Sequence, residues 1–252
     1  MKIAAIFTDY DGTLAPSDVP RQDSAIPAPL LSVLSDISLR IPVAVVTSKD
    51  LDFVKPRTPF AWAWSTVLGL EARLRDGSGH QAQVSGGLQI VLERVRRILP
   101  AKVIVEEKHG TDGSLLGVSL DWGSLPGPPP AEIKVAENAF RGEGFQVGSY
   151  SGVRYTDIYA ALTDKGSAVR ELVNLLGVKG PVMYMGDTEA DNDAFDECEV
   201  GVCVDHSQPT DCLGCDFTLR YQKLPSMLTT LLANGFESDD TLTKATREGK
   251  GS

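Results

Sequence analysis

The stretch KIAAIFTDYDGTLAP, residues 2–16, decides how the chain is read. Its apolar run from Ile3 to Phe7 has the length and composition of a buried strand, and it ends abruptly in Asp9 and Asp11, followed by Gly12 and Thr13. Carboxylates at the exit of a buried strand are unfavourable unless they bind something. With a strand period of two, Asp9 and Asp11 fall on the same side, so two negative charges converge and call for a cation. Gly12 lets the backbone turn and come close to a ligand. Together these residues predict a site for a hard metal and for a group that tolerates it, such as a phosphate.

Further along, strands and helices alternate. Residues 25–40 carry prolines only in the opening turn, then Leu30, Val33, Leu34 and Ile37 at helical spacing, and they lead into a second apolar run, 41–46. Lys165–Leu176 places Ala168, Val169, Leu172, Val173 and Leu176 on one face and stops at Gly177. Apolar runs at 182–185 and 200–204 follow, with the polar stretch GDTEADND and a short helix, 194–198, between them. This pattern predicts an α/β fold, a doubly wound parallel sheet with its ligands beyond the carboxyl ends of the strands.

Residues 83–159 read differently, as helix (88–99), strand (103–107), strand (115–122), helix (131–141) and two strands around Phe145 and Val153. They form a predicted α+β cap inserted into a discontinuous core of residues 1–82 and 160–236, placed to act as a lid. Residues 237–252 are polar, lack apolar periodicity and read as a disordered tail.

A formal net charge of −10 argues against binding nucleic acid or an anionic membrane, both of which require a basic surface. No run approaches the length of a transmembrane helix, and no export signal is recognisable, so a cytoplasmic location is expected. Cys198, Cys203, Cys212 and Cys215 crowd the last quarter of the chain. Their spacing, with His206, matches no familiar zinc ribbon, and Cys203 inside VGVCV reads as a small buried hydrophobe.

Four polar clusters fall at predicted strand ends: DYDGT, TSK at residues 47–49, DKG at 164–166 and GDTEAD at 186–191. Each alone is weak, since Thr47 with Ser48 suits a helix cap and Asp187 a turn. Their order and company are specific. Together they resemble the signature of the haloacid dehalogenase-like phosphatases, DxDGT, then threonine or serine, then lysine, then GDxxxD.

The resemblance implies that Asp9 is a nucleophile forming an aspartyl phosphate and that Asp11 is the general acid and base. It implies phosphate binding by Thr47, Ser48 and Lys165, and an Mg²⁺ site made by Asp9, Asp11 through its main-chain carbonyl, and Asp187. Asp191 then orients a ligating water or Lys165. Elementary electrostatics agrees, because a carboxylate attacks a phosphoryl dianion only if cations offset their repulsion.

The fourth motif, continued through Asp193, Ala194 and Phe195, resembles that of trehalose-6-phosphate phosphatases. VEEK at 105–108 and GVRYTDI at 152–158 resemble that family's lid and pre-lysine segments, which makes Glu106, Lys108 and Asp157 candidate sugar contacts; an ordinary exposed Glu106–Lys108 pair is the other reading. TSKD looks more like the mannosyl-3-phosphoglycerate phosphatases and adds Lys49 as a candidate contact. Asp121, Trp122 and Gly123 stand where the trehalose family has HYR. The implied substrate is a small-molecule sugar phosphate, with phosphomutase action or non-catalytic sugar-phosphate binding as the other readings. Oligomeric state is not read from these residues.

Overall fold

The computed structural model describes residues 1–16, 19, 23–149, 153–206 and 214–238. The opening run folds as β1 (Ala5–Thr8), buried throughout. It ends at Thr8, so Asp9 and Asp11 lie past the strand rather than within it, yet both line one pocket. Asp9 donates its N–H to Met185 O at 2.9 Å, and Asp11 sits in a turn closed by Gly12 N to Ala15 O at 2.7 Å.

The chain continues through α1 (Ala28–Ser38), β2 (Val43–Val46), α2 (Leu51–Val54), β3 (Ala63–Thr66), β4 (Glu71–Leu74) and β5 (Gly79–Gln81). α1 starts three residues later than expected because Pro27 caps it in an extended conformation. Next come α3 (Gly87–Arg96), β6 (Ile104–His109), β7 (Leu115–Asp121), α4 (Ala131–Gly142), β8 (Gln146–Gly148) and β9 (Tyr155–Tyr159). α5 (Lys165–Leu176), β10 (Val182–Gly186), α6 (Asn192–Asp196), β11 (Val200–Asp205), β12 (Phe217–Arg220) and α7 (Leu224–Ala233) complete it. α5 has both ends that the sequence prescribes: the Asp164 carboxylate accepts from Ser167 N–H, and Gly177 closes it at φ 61°.

One eight-stranded sheet has the order β12-β11-β10-β1-β2-β3-β4-β5. It is parallel from β12 to β3. β4 and β5 are antiparallel, which the alternation did not foretell: the short Val67–Leu70 connection folds the chain straight back, whereas a parallel partner needs a long crossover. Side chains alternate between two cores. Ile6, Val45 and Met183 pack with α1 and α7, while Phe7, Val46 and Tyr184 pack with α5 and α6. Each fully buried side chain of this kind contributes about 1.5–3 kcal/mol.

A second sheet has the order β6-β7-β9-β8 and is antiparallel. α3 and α4 cover one face through Leu92, Val95, Ile133 and Phe140 against Val118, Leu120 and Ile158. Its other face looks back towards the carboxyl ends of the first sheet. The contacts that join the units include two at buried or close-packed positions. The buried Glu71 carboxylate accepts from Thr111 N–H at 3.1 Å and Thr111 Oγ1 at 2.6 Å. At Gly117, a Cβ would stand 2.9 Å from Val67 Cγ1, so the close approach requires glycine.

The polar tail read from residue 237 begins in a bonded segment, since Ser238 N–H reaches Met1 O at 2.9 Å and Glu237 bridges Lys2. Residues 239–252, and Cys212, lie outside the described residues.

Candidate active site

The four motifs meet at the carboxyl ends of β1, β2 and β10 and the first turn of α5. Lys165, buried, puts its Nζ 3.1 Å from Asp9 Oδ1 and 2.6 Å from Asp191 Oδ1. Carboxylate oxygens of Asp9, Asp187 and Asp191 lie within 4.8 Å of one another. Asp187 also accepts from Thr13 Oγ1 at 3.3 Å.

The glycines explain this crowding. Gly12, at φ 79°, leaves space that a Cβ would take from Asp187 Oδ2, only 1.9 Å away. A Cβ on Gly186 would come within 2.4 Å of Asp191 Cγ. Glu189–Asp191 form a single 3-10 turn that folds the Asp191 side chain back onto its own start. There the carboxylate accepts from Asp187 N–H at 3.1 Å, Thr188 N–H at 3.0 Å and Tyr184 Oη at 2.7 Å. Asp191 is therefore occupied with holding Lys165 and the turn.

Negative charge exceeds positive charge here. Burial pushes the Asp9 carboxyl up to about 7, helped by the Asp191 and Asp11 charges and opposed by Lys165. Burial, with Asp9 and Asp191, pushes Asp187 up to about 9. Burial alone would lower Lys165, but Asp191 and Asp9 outweigh it and raise its pKa. Such a cluster can keep its protons or take up a cation. All-oxygen donors suit a hard divalent ion, so the residues fit Mg²⁺.

Asp11 is less enclosed, with its side chain one-third exposed and 3.7 Å from Lys49 Nζ. Ser48 and Lys49 line the pocket above Asp9, whereas Thr47 is buried beneath it, its Oγ1 accepting from Lys49 N–H at 3.2 Å. Residues Val67 and Leu68, both at positive φ, lock this loop from behind: Val67 N–H bonds Lys49 O at 2.9 Å and Leu68 N–H bonds Thr47 O at 3.0 Å. Thr163, just before α5, donates its hydroxyl to Leu68 O, so one bend ties the second and third motifs together.

The second sheet roofs the pocket, a cavity of about 280 Å³. Glu106 is 3.9 Å from Lys49 Nζ, so that lysine links floor to roof. Lys108 is only 1% exposed and lies 2.8 Å from Asp157 Oδ1, which corrects the reading of Glu106 and Lys108 as an ordinary exposed pair. Asp157 also accepts from Ser119 Oγ and, at 3.2 Å, from Tyr159 Oη. Burial would raise Asp157, yet Lys108 and these bonds hold it below the usual carboxylate range.

Several residues escaped the sequence reading. Ser119, Tyr155 and Tyr159 line the roof, and Tyr184 supports Asp191. Once β6, β7 and β9 are paired, the period of two from Glu106 and Asp157 picks out the roof residues. His206 follows β11, bonds the Gly12 carbonyl and stacks on Tyr221 at 4.9 Å. Its place just past a strand end was the available signal. Cys203 is buried while Cys198 and Cys215 are partly exposed, and the acidic group Asp9, Asp187 and Asp191 is the metal-type cluster found among the described residues. No described helix is long and apolar enough to cross a membrane.

A family model for haloacid dehalogenase-like hydrolases matches residues 130–223, which include the third and fourth motifs. The trehalose-phosphate phosphatase of Mycobacterium marinum is 27% identical over 229 residues, covering 82% of this chain and 55% of that protein. That of Mycolicibacterium paratuberculosis is 30% identical over 217 residues, covering 78% and 52%. The chain thus spans about half the length of the curated relatives it matches. A solved trehalose-6-phosphate phosphatase related protein superposes with a TM-score of 0.74 at 22% identity, covering 92% of this chain and 98% of that one. The chain belongs to the haloacid dehalogenase-like hydrolases, with an α/β core and an inserted second sheet, and is similar in sequence to the trehalose-phosphate phosphatases.

Proposed function

We propose that the chain is a Mg²⁺-dependent phosphatase acting on a glycosyl phosphate, with trehalose 6-phosphate as the lead substrate, through an aspartyl phosphate on Asp9. The observation that carries this is Lys165 held between Asp9 and Asp191, with Asp187 in the same cluster, under a roof rich in hydrogen-bonding groups. Residues 1–82 and 160–236 serve as the catalytic core and residues 83–159 as the cap. Free thiols at Cys198, Cys203 and Cys215 suit a reducing, cytoplasmic compartment.

Asp9, Asp187 and the Asp11 main-chain carbonyl would hold the ion, which when bound offsets charge on the phosphoryl oxygens. Asp9 Oδ attacks phosphorus, and the bond to the sugar oxygen breaks as Asp11 gives that oxygen a proton. Asp11, now ionised, takes a proton from water, whose oxygen attacks phosphorus and frees Asp9 and inorganic phosphate. Lys165 and Ser48 hold the phosphoryl oxygens, Thr47 supports the Ser48–Lys49 loop from below, and Asp191 fixes Lys165. Lys49, Glu106, Lys108 and Asp157 meet the sugar hydroxyls. Phosphate release from trehalose 6-phosphate, with and without Mg²⁺, tests the reading. Release only with Mg²⁺ is expected, and undiminished release by Asp9→Asn refutes the mechanism.

A further inference from the structure

The roof of the pocket is built in cross-strand rows. The innermost is Lys108, Gly117 and Tyr159, pressed against the core at Val67. The next is Glu106, Ser119 and Asp157. The outermost is Ile104, Asp121 and Tyr155, of which Asp121 and Tyr155 line the pocket and Ile104 and Tyr155 are exposed.

Among the described residues, the lysines lining this pocket are Lys49, Lys108 and Lys165, and carboxylates hold each of them. Lys165 lies between Asp9 and Asp191. Lys108 lies on Asp157, and Lys49 is shared by Asp11 and Glu106. Asp121 has its Oδ1 fixed by Gly123 N–H at 2.6 Å and adds a carboxylate at the outer row, and among the described residues the pocket lining holds no lysine or arginine beyond the three already matched by carboxylates.

Resting on the phosphatase reading above, we infer that the outer end of the pocket rejects a second negative charge. The substrate is then a phosphomonoester of a neutral polyol, and Asp121 sets that selectivity. Within a pocket of this size, any anion on the non-reacting part of a ligand lies within a Debye length of Asp121 and is repelled. Hydroxyl groups instead donate to Asp121 and Glu106.

Binding tests this without turnover. In the Asp9→Asn protein with Mg²⁺, calorimetry compares glucosamine 6-phosphate, glucose 6-phosphate and 6-phosphogluconate, which share a phosphate and differ in charge at the far end. Glucose 6-phosphate is expected to bind about tenfold more tightly than 6-phosphogluconate at low salt, with the gap closing as KCl is raised. Adding Asp121→Asn, which keeps an oxygen to accept from Gly123, narrows the gap at low salt, and Asp121→Lys reverses it. Equal binding of the neutral and anionic ligands, a gap that Asp121→Asn leaves unmoved, or no binding by any of the three overturns the inference. Hydrolysis of p-nitrophenyl phosphate by the wild-type protein separately decides whether the phosphatase reading stands.

Discussion

The floor and the roof of the pocket each bury a lysine against aspartate, and they come out with opposite electrostatics. In the roof, Lys108 is matched by Asp157, Ser119 and Tyr159 complete the carboxylate's bonds, and Asp157 is held below the usual range. In the floor, Lys165 faces Asp9 and Asp191 with Asp187 beside them, and Asp9 and Asp187 are pushed up to about 7 and about 9. The roof pair is electrically matched. The floor is short of positive charge, as the proposed binding of a cation there requires.

The largest effect that would break this contrast is on turnover. Asp9→Asn is expected to lower kcat by about 10⁴-fold with Mg²⁺ present, whereas Asp157→Asn chiefly raises KM. Gly12→Ala would drive a Cβ into the Asp187 carboxylate and is expected to reduce activity about 10²-fold in the same assay.

Stability gives opposite signs in the two regions. Lys108→Met leaves Asp157 buried without its cation and is expected to destabilise by about 3–5 kcal/mol in urea unfolding. Asp187→Asn spares folding the proton that the buried Asp187 carboxyl otherwise takes up, and at neutral pH it is expected to stabilise the metal-free protein by more than about 1 kcal/mol. Destabilisation by both would erase the distinction.

The pH dependence follows the same division. Asp9 and Asp187 have raised values, so between about pH 4 and 9 the metal-free folded state binds more protons than the unfolded state. Their contribution is therefore largest at low pH and declines as pH rises, at up to about 1.4 kcal/mol per pH unit for each proton. Asp157 acts in reverse: its contribution is present above the usual aspartate range and is lost as pH falls through its lowered value. Unfolding in EDTA should show stability falling from pH 6 to 9, and saturating Mg²⁺ should flatten that slope.

Features governed by local periodicity were legible in the sequence. α5 runs from Lys165 to Leu176 as read, and Asp9, Asp187 and Lys165 meet because each follows a buried strand or opens a helix in one parallel sheet. What stayed hidden depends on pairing across the chain. Tyr184 reads as one more apolar strand residue until Asp191 folds back to its hydroxyl. Ser119 gains meaning only when β7 pairs with β9 and brings it to Asp157, 38 positions away. The positive φ at Val67 and Leu68, on residue types that resist it, has no local sequence signal and is imposed by bonds to Lys49, Thr47 and Thr163.

The central claim is that Asp9 carries the phosphoryl group. Acid quenching of the protein with Mg²⁺ and trehalose 6-phosphate, followed by peptide mass spectrometry, tests it directly. A phosphoryl adduct on the peptide containing Asp9, absent from Asp9→Asn, is the expected result. Phosphate release accompanied by an adduct on another residue, or continuing in Asp9→Asn, would contradict it.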